Sequence, residues 1–162
     1  MCIRDSDGMS SRLFVEVRER RGLAYDVGSS ATGYHDSGTF NIYLGVEPRR
    51  VEDALAAVLA ELRRMRDEEV SAEELTRGRE YTKGRIALGL EDTFSVASWY
   101  GGQEALLGRI EPLDDVLAQL DAVTAADIQR VAARLFREEW LRLAIIGPHK
   151  SADALRALLR LA

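Results

Sequence analysis

Apolar positions change period near residue 22, and this change predicts a helix followed by a strand. Leu13 and Val17 recur at helical spacing, and Gly22 follows where a glycine can close a helix in the left-handed conformation. Residues 23–30 then alternate between apolar and polar, which is typical of a half-buried strand. A second alternating run covers residues 39–46 after a connection rich in turn-forming residues. The pattern therefore predicts a helix and then an antiparallel hairpin.

The rest of the chain is predicted to be mainly helical, with one more strand near its end. Helical periodicity continues in several segments, and the nearly continuous apolar run of residues 140–148 favours a strand inside a sheet. Helices are expected over residues 48–65, 71–90, 93–100, 113–120, 124–136 and 152–161. This order predicts an α+β fold, with an antiparallel-rich sheet and helices packed on one of its faces.

Local signals predict where some of these helices begin and bend. Ser71 and Glu74 have the spacing of a capping box, in which each residue binds the backbone of the other. Thr93 is expected to cap the next helix. Gly101 and Gly102 follow in that helix and are expected to interrupt or bend it.

Composition and charge narrow the class of protein. With 162 residues, of which 46% are hydrophobic and 30% charged, the chain can form one globular unit. No apolar run approaches the ~18–20 residues that span a bilayer, and a net charge of −5 provides no basic face for nucleic acid. We therefore expect a soluble protein with no nucleic-acid partner and no membrane span, and the compartment stays open between bacterial cytoplasm and periplasm.

Arg18 and Tyr25 are the candidate functional residues, because they flank the predicted junction at Gly22. Ser10 or Ser11 is available to cap the first turn of the helix that carries Arg18. A guanidinium fork and a phenol placed there could converge on one space and donate hydrogen bonds. The residues alone leave a second interpretation open, in which the arginine is a solvated residue at a helix end and the tyrosine a core residue with its hydroxyl at the rim.

Metal-binding and other catalytic patterns are scarce in the chain. It contains only two histidines, His35 and His149, and neither has a second histidine at helical spacing. We expect both to be turn or loop residues and predict no metal ligand and no cofactor-binding residue in this chain. No nucleophile elbow or phosphate-binding loop replaces them.

The string from Met9 to Tyr25 closely resembles a signature of the insulinase, pitrilysin and mitochondrial-processing-peptidase family. The resemblance covers residues 8–162 and implies a single C-terminal domain of that family, with the α/β layer of LuxS and processing-peptidase-like proteins. Residues 1–7 resemble a sequencing-adapter scar, so we expect a non-native start and a domain that lacks its first strand and helix.

The resemblance also implies a function for Arg18 and Tyr25. In the family, an arginine and a tyrosine at this spacing reach the zinc site of the other domain and clamp the scissile region of the substrate. This implies a catalytic role for both residues in a zinc metalloendopeptidase that cleaves a peptide or an unfolded protein. The Zn²⁺, held by an inverted His-x-x-Glu-His helix, would come from an N-terminal domain or a homologous subunit, so this chain alone is expected to be inactive.

Two other interpretations stay open. Some relatives have lost the zinc motif and serve as non-catalytic assembly or core subunits. An unrelated helical interaction module is also conceivable from composition, but it leaves the string from Met9 to Tyr25 unexplained.

Overall fold

The computed structural model describes residues 11–149, 151 and 153–161, and it has the predicted α+β composition. The two strands are β1 (Ala24–Gly33) and β2 (Gly38–Val46). A π-helix and two 3₁₀ turns lie at Phe14–Arg20, Pro48–Arg50 and Glu138–Trp140. The α-helices are α1 (Val51–Asp67), α2 (Ala72–Gly89), α3 (Thr93–Leu107), α4 (Leu113–Ala122), α5 (Ala125–Leu135) and α6 (Asp153–Leu158). The predicted class, helices combined with an antiparallel sheet, is confirmed; Met9, Ser10 and residues 1–7 lie outside the described residues.

Strands β1 and β2 form the predicted antiparallel hairpin. Pairing runs from Ala24 opposite Val46 to Gly33 opposite Gly38. On the inner face Val27 is buried, and the ring of Phe40 contacts that of Phe136, with centroids 5.4 Å apart. The alternation read from the sequence is therefore the alternation of the two faces of this hairpin.

The described residues of 11–70 and 126–161 form one compact unit, which contains the hairpin. Helix α1 provides much of the core of this unit. Its apolar stripe is buried, whereas Glu52 and Asp53 in its first turn are exposed and face the positive end of the helix dipole. The buried residues of the stripe are Val51, Ala54, Ala57, Val58, Leu59, Leu62 and Met65. Between α1 and β2 lies an apolar groove of about 400 Å³, lined by Phe40, Leu59 and Leu143 among others. The apolar stripe expected from the helical periodicity is confirmed, but Glu61, which was expected on the charged face opposite it, is buried and pairs with Arg64 at 3.0 Å.

Residues Ser71–Ala125 form a separate compact unit built from α2, α3 and α4. Helix α2 begins as predicted, because the Ser71 hydroxyl accepts a hydrogen bond from the Glu74 backbone N–H at 3.2 Å. Helix α3 begins differently: Asp92, one residue before Thr93, accepts from the Ser95 N–H at 2.9 Å. A carboxylate is as good a cap as a hydroxyl, and here it also bonds the Ser95 hydroxyl.

The two central glycines of α3 do not interrupt it. The helix continues through Gly101 and Gly102 to Leu107 and ends at Gly108, which has φ +63°. A glycine pair weakens a helix by about 1 kcal/mol per residue relative to alanine, but it leaves every backbone hydrogen bond possible. The expected interruption was wrong for that reason.

Helices α2 and α4 contact each other through polar side chains. The Lys83 ammonium lies 2.9 Å from the Asp121 carboxylate, and Arg79 donates to the Val123 carbonyl. Within the part of the chain that the structure describes, no helix is both long and apolar enough to cross a membrane.

The strand predicted over residues 140–148 is not formed. Trp140 ends a 3₁₀ turn, and residues 141–146 pair with no strand in the described ranges. Arg142 donates to the carbonyls of Glu139 and Leu141 at 2.8 and 2.7 Å, so local side-chain bonds occupy acceptors that a ladder would use. Ile146 is fully exposed. An apolar run shows that a segment is suited to a sheet, but a strand also needs a partner.

Candidate functional site

The candidate site is built on the junction between the π-helix and β1. Helices with this wider turn are rare and are frequently found at functional sites. The start of the helix is capped by Ser11, whose hydroxyl accepts from the Phe14 N–H at 3.2 Å. Its inner side is fixed by burial, because Leu13 and Val17 are 2% and 0% exposed. The helix that carries Arg18 is therefore held by the core of its unit.

Gly22 closes the helix as the sequence predicts. Its φ is +55°, in the left-handed region that strains residues with a side chain. The Gly22 N–H donates to the Arg18 carbonyl at 3.1 Å, and the Leu23 N–H donates to the Val17 carbonyl at 2.8 Å. This is the arrangement of a Schellman cap widened by one residue, and it turns the chain directly into β1.

A distant arginine binds the same turn. The Arg50 guanidinium donates to the Gly22 carbonyl at 2.8 Å and to the Arg21 carbonyl at 3.2 Å. A planar fork can bind two carbonyls at once, which fixes the turn more firmly than a single donor would. The sequence carried no signal for this contact, because the partners are 28 residues apart and an arginine before a helix is ordinary.

Arg18 presents its side chain at the exposed side of the helix. Its guanidinium carbon lies 4.9 Å from the centroid of the Phe14 ring, a cation–π contact. The neighbouring Arg20 differs, because it forms an ion pair with Glu16 one turn earlier. No carboxylate within the described ranges pairs with Arg18, so its donors face solvent.

Tyr25 lies in a β-bulge at the start of β1. Ala24 pairs with Val46 and Asp26 with Gly45, which leaves Tyr25 as the extra residue. A bulge re-aims the side chain of the bulged residue, and bulges are common next to active sites. As a result Tyr25 is 72% exposed.

The Tyr25 ring lies against Gly45 of β2. A Cβ at position 45 would be 2.5 Å from Cζ and 2.8 Å from the hydroxyl oxygen of Tyr25. The absence of a side chain at this position is therefore what allows the ring to lie across β2. Tyr43, two residues earlier on β2, is 59% exposed. The charge of Tyr25 is the largest cause of a raised pKa at Tyr43, followed by burial, Asp26 and hydrogen bonding to Tyr25.

The structure thus places Arg18 and Tyr25 on the two sides of one turn, both exposed. It does not bring their side chains into contact: among the described residues, no hydrogen bond joins them, because Arg18 lies over Phe14 and Tyr25 over Gly45. Their convergence on a common substrate atom stays a prediction. Sequence reasoning missed Tyr43, although its place two residues before Gly45 in an alternating strand puts both positions on one face.

The described residues do not fit a zinc site. No group of three or more His, Cys, Asp or Glu side chains within those residues is close enough to hold a metal. His35 is exposed in the connection between the strands, and His149 lines a cavity of about 260 Å³ with Glu52 and Asp53. A structural or catalytic zinc needs at least three protein ligands, and the described residues do not bring three together.

Comparisons with known proteins identify the family. A family model described as "Peptidase M16 inactive domain" matches residues 6–81. A relative named "Uncharacterized zinc protease SCO5738", from Streptomyces coelicolor, is 39% identical over 149 residues, which are 92% of this chain and 32% of that protein. The chain spans about a third of the length of the curated relatives it matches.

Solved structures show the same fold. A conserved protein from Enterococcus faecalis V583 superposes with a TM-score of 0.73 at 24% identity, over 82% of this chain and 31% of that chain. A chain of Complex III2 from Candida albicans superposes with a TM-score of 0.69 at 21% identity, over 80% of this chain and 31% of that chain. These structures show the fold alone. The family model and the relatives named zinc proteases show that the chain belongs to the M16 peptidase family, the insulinase and processing-peptidase family that its first helix resembles.

Proposed function

We propose that this chain is the substrate-binding C-terminal half of a zinc metalloendopeptidase, in which Arg18 and Tyr25 bind the scissile region of a peptide. The observation that supports this role best is the junction at Gly22. It holds an exposed guanidinium and an exposed phenol on the two sides of one hydrogen-bonded turn.

Both side chains are suited to a carbonyl oxygen. Arg18 offers five N–H donors and no acceptor, and the Tyr25 hydroxyl adds a further donor. Donors of this kind stabilise negative charge that grows on a carbonyl oxygen during acyl transfer, provided that they are in place before the reaction. The buried inner face of the helix and the Arg50 fork, which binds the turn, support the proposal that these donors are preorganised.

The metal chemistry would belong to another part of the assembly. Because the described residues lack a zinc site, we propose that Zn²⁺ and the general base come from an N-terminal domain or a homologous subunit. The substrate would be a peptide or an unfolded protein enclosed between the two halves. The chain by itself is expected to have no peptidase activity.

The test uses the full-length protein that contains this chain. We expect Arg18→Ala and Tyr25→Phe to lower the turnover of an unstructured peptide by about 10²–10³-fold, corresponding to about 2.7–4 kcal/mol of transition-state stabilisation. Zinc content, measured by elemental analysis, should stay that of the parent, because neither residue is proposed as a ligand.

Two matched controls separate this role from general damage. Arg20→Ala removes an arginine from the same helix that already pairs with Glu16, and Tyr34→Phe removes an exposed phenol from the strand connection. Both should cleave like the parent. Parental turnover in Arg18→Ala and Tyr25→Phe would contradict the assigned role.

The alternative from the same family is a non-catalytic assembly or core-type subunit. Relatives from Streptomyces coelicolor, Bacillus subtilis and Mycobacterium bovis are each named an uncharacterized zinc protease, and these names favour the peptidase. The alternative predicts a full-length protein without an upstream His-x-x-Glu-His motif and without cleavage that chelators inhibit. Sequencing the longer reading frame and assaying its product decides between the two.

A further inference from the structure

We propose that Tyr43 is a second substrate-contacting residue, and that its hydroxyl and the Tyr25 hydroxyl together bind one backbone carbonyl oxygen of the peptide. This proposal rests on the proposed function, because it concerns the same site. It assigns a role to a residue of β2, outside the string that resembles the family signature, and a positioning role to Gly45.

The first step is the path of the Tyr25 side chain. Because Tyr25 is the extra residue of the bulge, it has no pairing partner on β2. Its ring lies across β2 at Gly45. With any side chain at position 45, the ring would have to move, because Cζ, Cε1 and the hydroxyl oxygen lie 2.5–2.8 Å from where a Cβ would be. Glycine within a strand often marks such a close approach.

The second step is the position of Tyr43. It lies two residues from Gly45 on the same strand, so both positions share a face of the hairpin. Tyr43 pairs across the hairpin with Gly28, which has no side chain to cover the phenol. Both tyrosines are largely exposed, at 72% and 59%.

The two phenols are close enough to influence each other. The pKa of Tyr43 is raised, first by the charge of Tyr25 and then by burial, Asp26 and hydrogen bonding to Tyr25. A tyrosine is already protonated at neutral pH, and the raised pKa extends this state to higher pH, so the Tyr43 hydroxyl is available as a hydrogen-bond donor.

The chemistry of a peptide carbonyl fits this pair. Its oxygen has two lone pairs and accepts two hydrogen bonds, and each phenol supplies one O–H once the bound carbonyl replaces the interaction between the two hydroxyls. Two neighbouring hydroxyls can therefore satisfy a single carbonyl oxygen from one side. They would also select an extended backbone over a bulky group, because the positions beside them, 28 and 45, are glycines.

The experiment measures kcat and KM of the full-length protein for an unstructured peptide. Tyr43→Phe should lower kcat/KM about fivefold to tenfold, as expected for a neutral hydrogen bond. In Tyr25→Phe/Tyr43→Phe the loss should differ from the product of the single losses, because donors that share one oxygen are energetically coupled. Tyr34→Phe is the matched control and should behave as the parent.

The outcomes separate the two proposals. If the kcat/KM of Tyr43→Phe equals that of the parent while Tyr25→Phe cleaves the peptide slowly, this inference is overturned and the proposed function stands. Parental kcat/KM in Tyr25→Phe overturns the proposed function itself. A double variant whose loss equals the product of the single losses contradicts binding to the same oxygen.

Gly45→Ala tests the positioning role with a readout that a merely structural effect would not produce. It should lower kcat/KM and also return the pKa of Tyr43 toward its usual value, followed by NMR of ring-labelled tyrosine in this chain. Gly33→Ala, in the same hairpin and with no atom within 4 Å of the added Cβ, is the control and should change neither. A Tyr43 titration unchanged by Gly45→Ala would overturn the role of Gly45.

Discussion

The junction around Gly22 and the helical unit Ser71–Ala125 differ in how much of their apolar surface is buried. At the junction Leu13, Val17 and Leu23 are at most 5% exposed. In contrast, helices α2, α3 and α4 contain no fully buried residue in the structure as described, and their contacts include exposed charged groups. The comparison shows that the candidate donors are carried by the closely packed part of the chain, which is where preorganised geometry can be maintained.

The largest expected difference between the two regions concerns leucine truncation. Leu13→Ala should lower the free energy of unfolding by about 2–5 kcal/mol, because it removes buried methyl groups and leaves a cavity. Leu106→Ala, at an 80% exposed position of α3, should change it by no more than about 0.5 kcal/mol. Urea unfolding measures the free energy of unfolding of both variants. A similar decrease in the two variants would contradict the difference in packing between the two regions.

Glycine-to-alanine substitutions should change the free energy of unfolding in opposite directions in the two regions. Gly22→Ala forces an alanine into the left-handed region at φ +55° and should cost about 1–2 kcal/mol. Gly84→Ala lies within α2, where an added Cβ meets no atom within 4 Å, and should stabilise by about 0.5–1 kcal/mol. Thermal unfolding gives both values; a stabilising Gly22→Ala would contradict the cap geometry.

The smallest effect is a pH dependence in the helical unit. Hydrogen bonding to Glu80, and then to Asp121, raises the pKa of Lys83 above its usual value. Because the folded-state pKa is the higher one, the contribution of Lys83 is fully present below the unfolded-state pKa and is lost as pH rises through the folded-state pKa. The parent should therefore be more stable than Lys83→Met near neutral pH.

The corresponding measurement follows urea midpoints from pH 7 to above pH 11, because the raised pKa of Lys83 places its ionisation above the ordinary lysine value of about 10.4. The difference between parent and Lys83→Met should shrink as the lysine loses its proton. A difference that stays constant over this range would show that the ion pairs do not cause it.

Sequence reasoning succeeded where a local signal decides the structure. Gly22, Ser71 and the alternating runs of the hairpin act within a few residues, and each predicted feature is present. It failed where two local options are nearly equal, as at Thr93, where the neighbouring Asp92 is the cap. It also failed at residues 140–148, because a strand depends on a partner that no local pattern supplies.

The candidate site was only partly predictable for the same reason. Arg18 and Tyr25 follow from the string that resembles the family. The bulge at Tyr25, the clearance at Gly45 and the proximity of Tyr43 depend on the register between β1 and β2. Register depends on how two strands pair, so the apolar pattern of one strand cannot predict it.

The contact between Arg50 and the Gly22 carbonyl also makes the hairpin a closed loop. The two partners are 28 residues apart, and all of β1 and β2 lies between them. Closing a loop of this length reduces the freedom of everything inside it, and the reduction is greatest next to the closure. Backbone amides at the base of the hairpin, beside Tyr25 and Gly45, should therefore exchange with solvent more slowly than those near the connection at residues 34–37. The end of the hairpin that carries the two phenols should therefore also be the last to open.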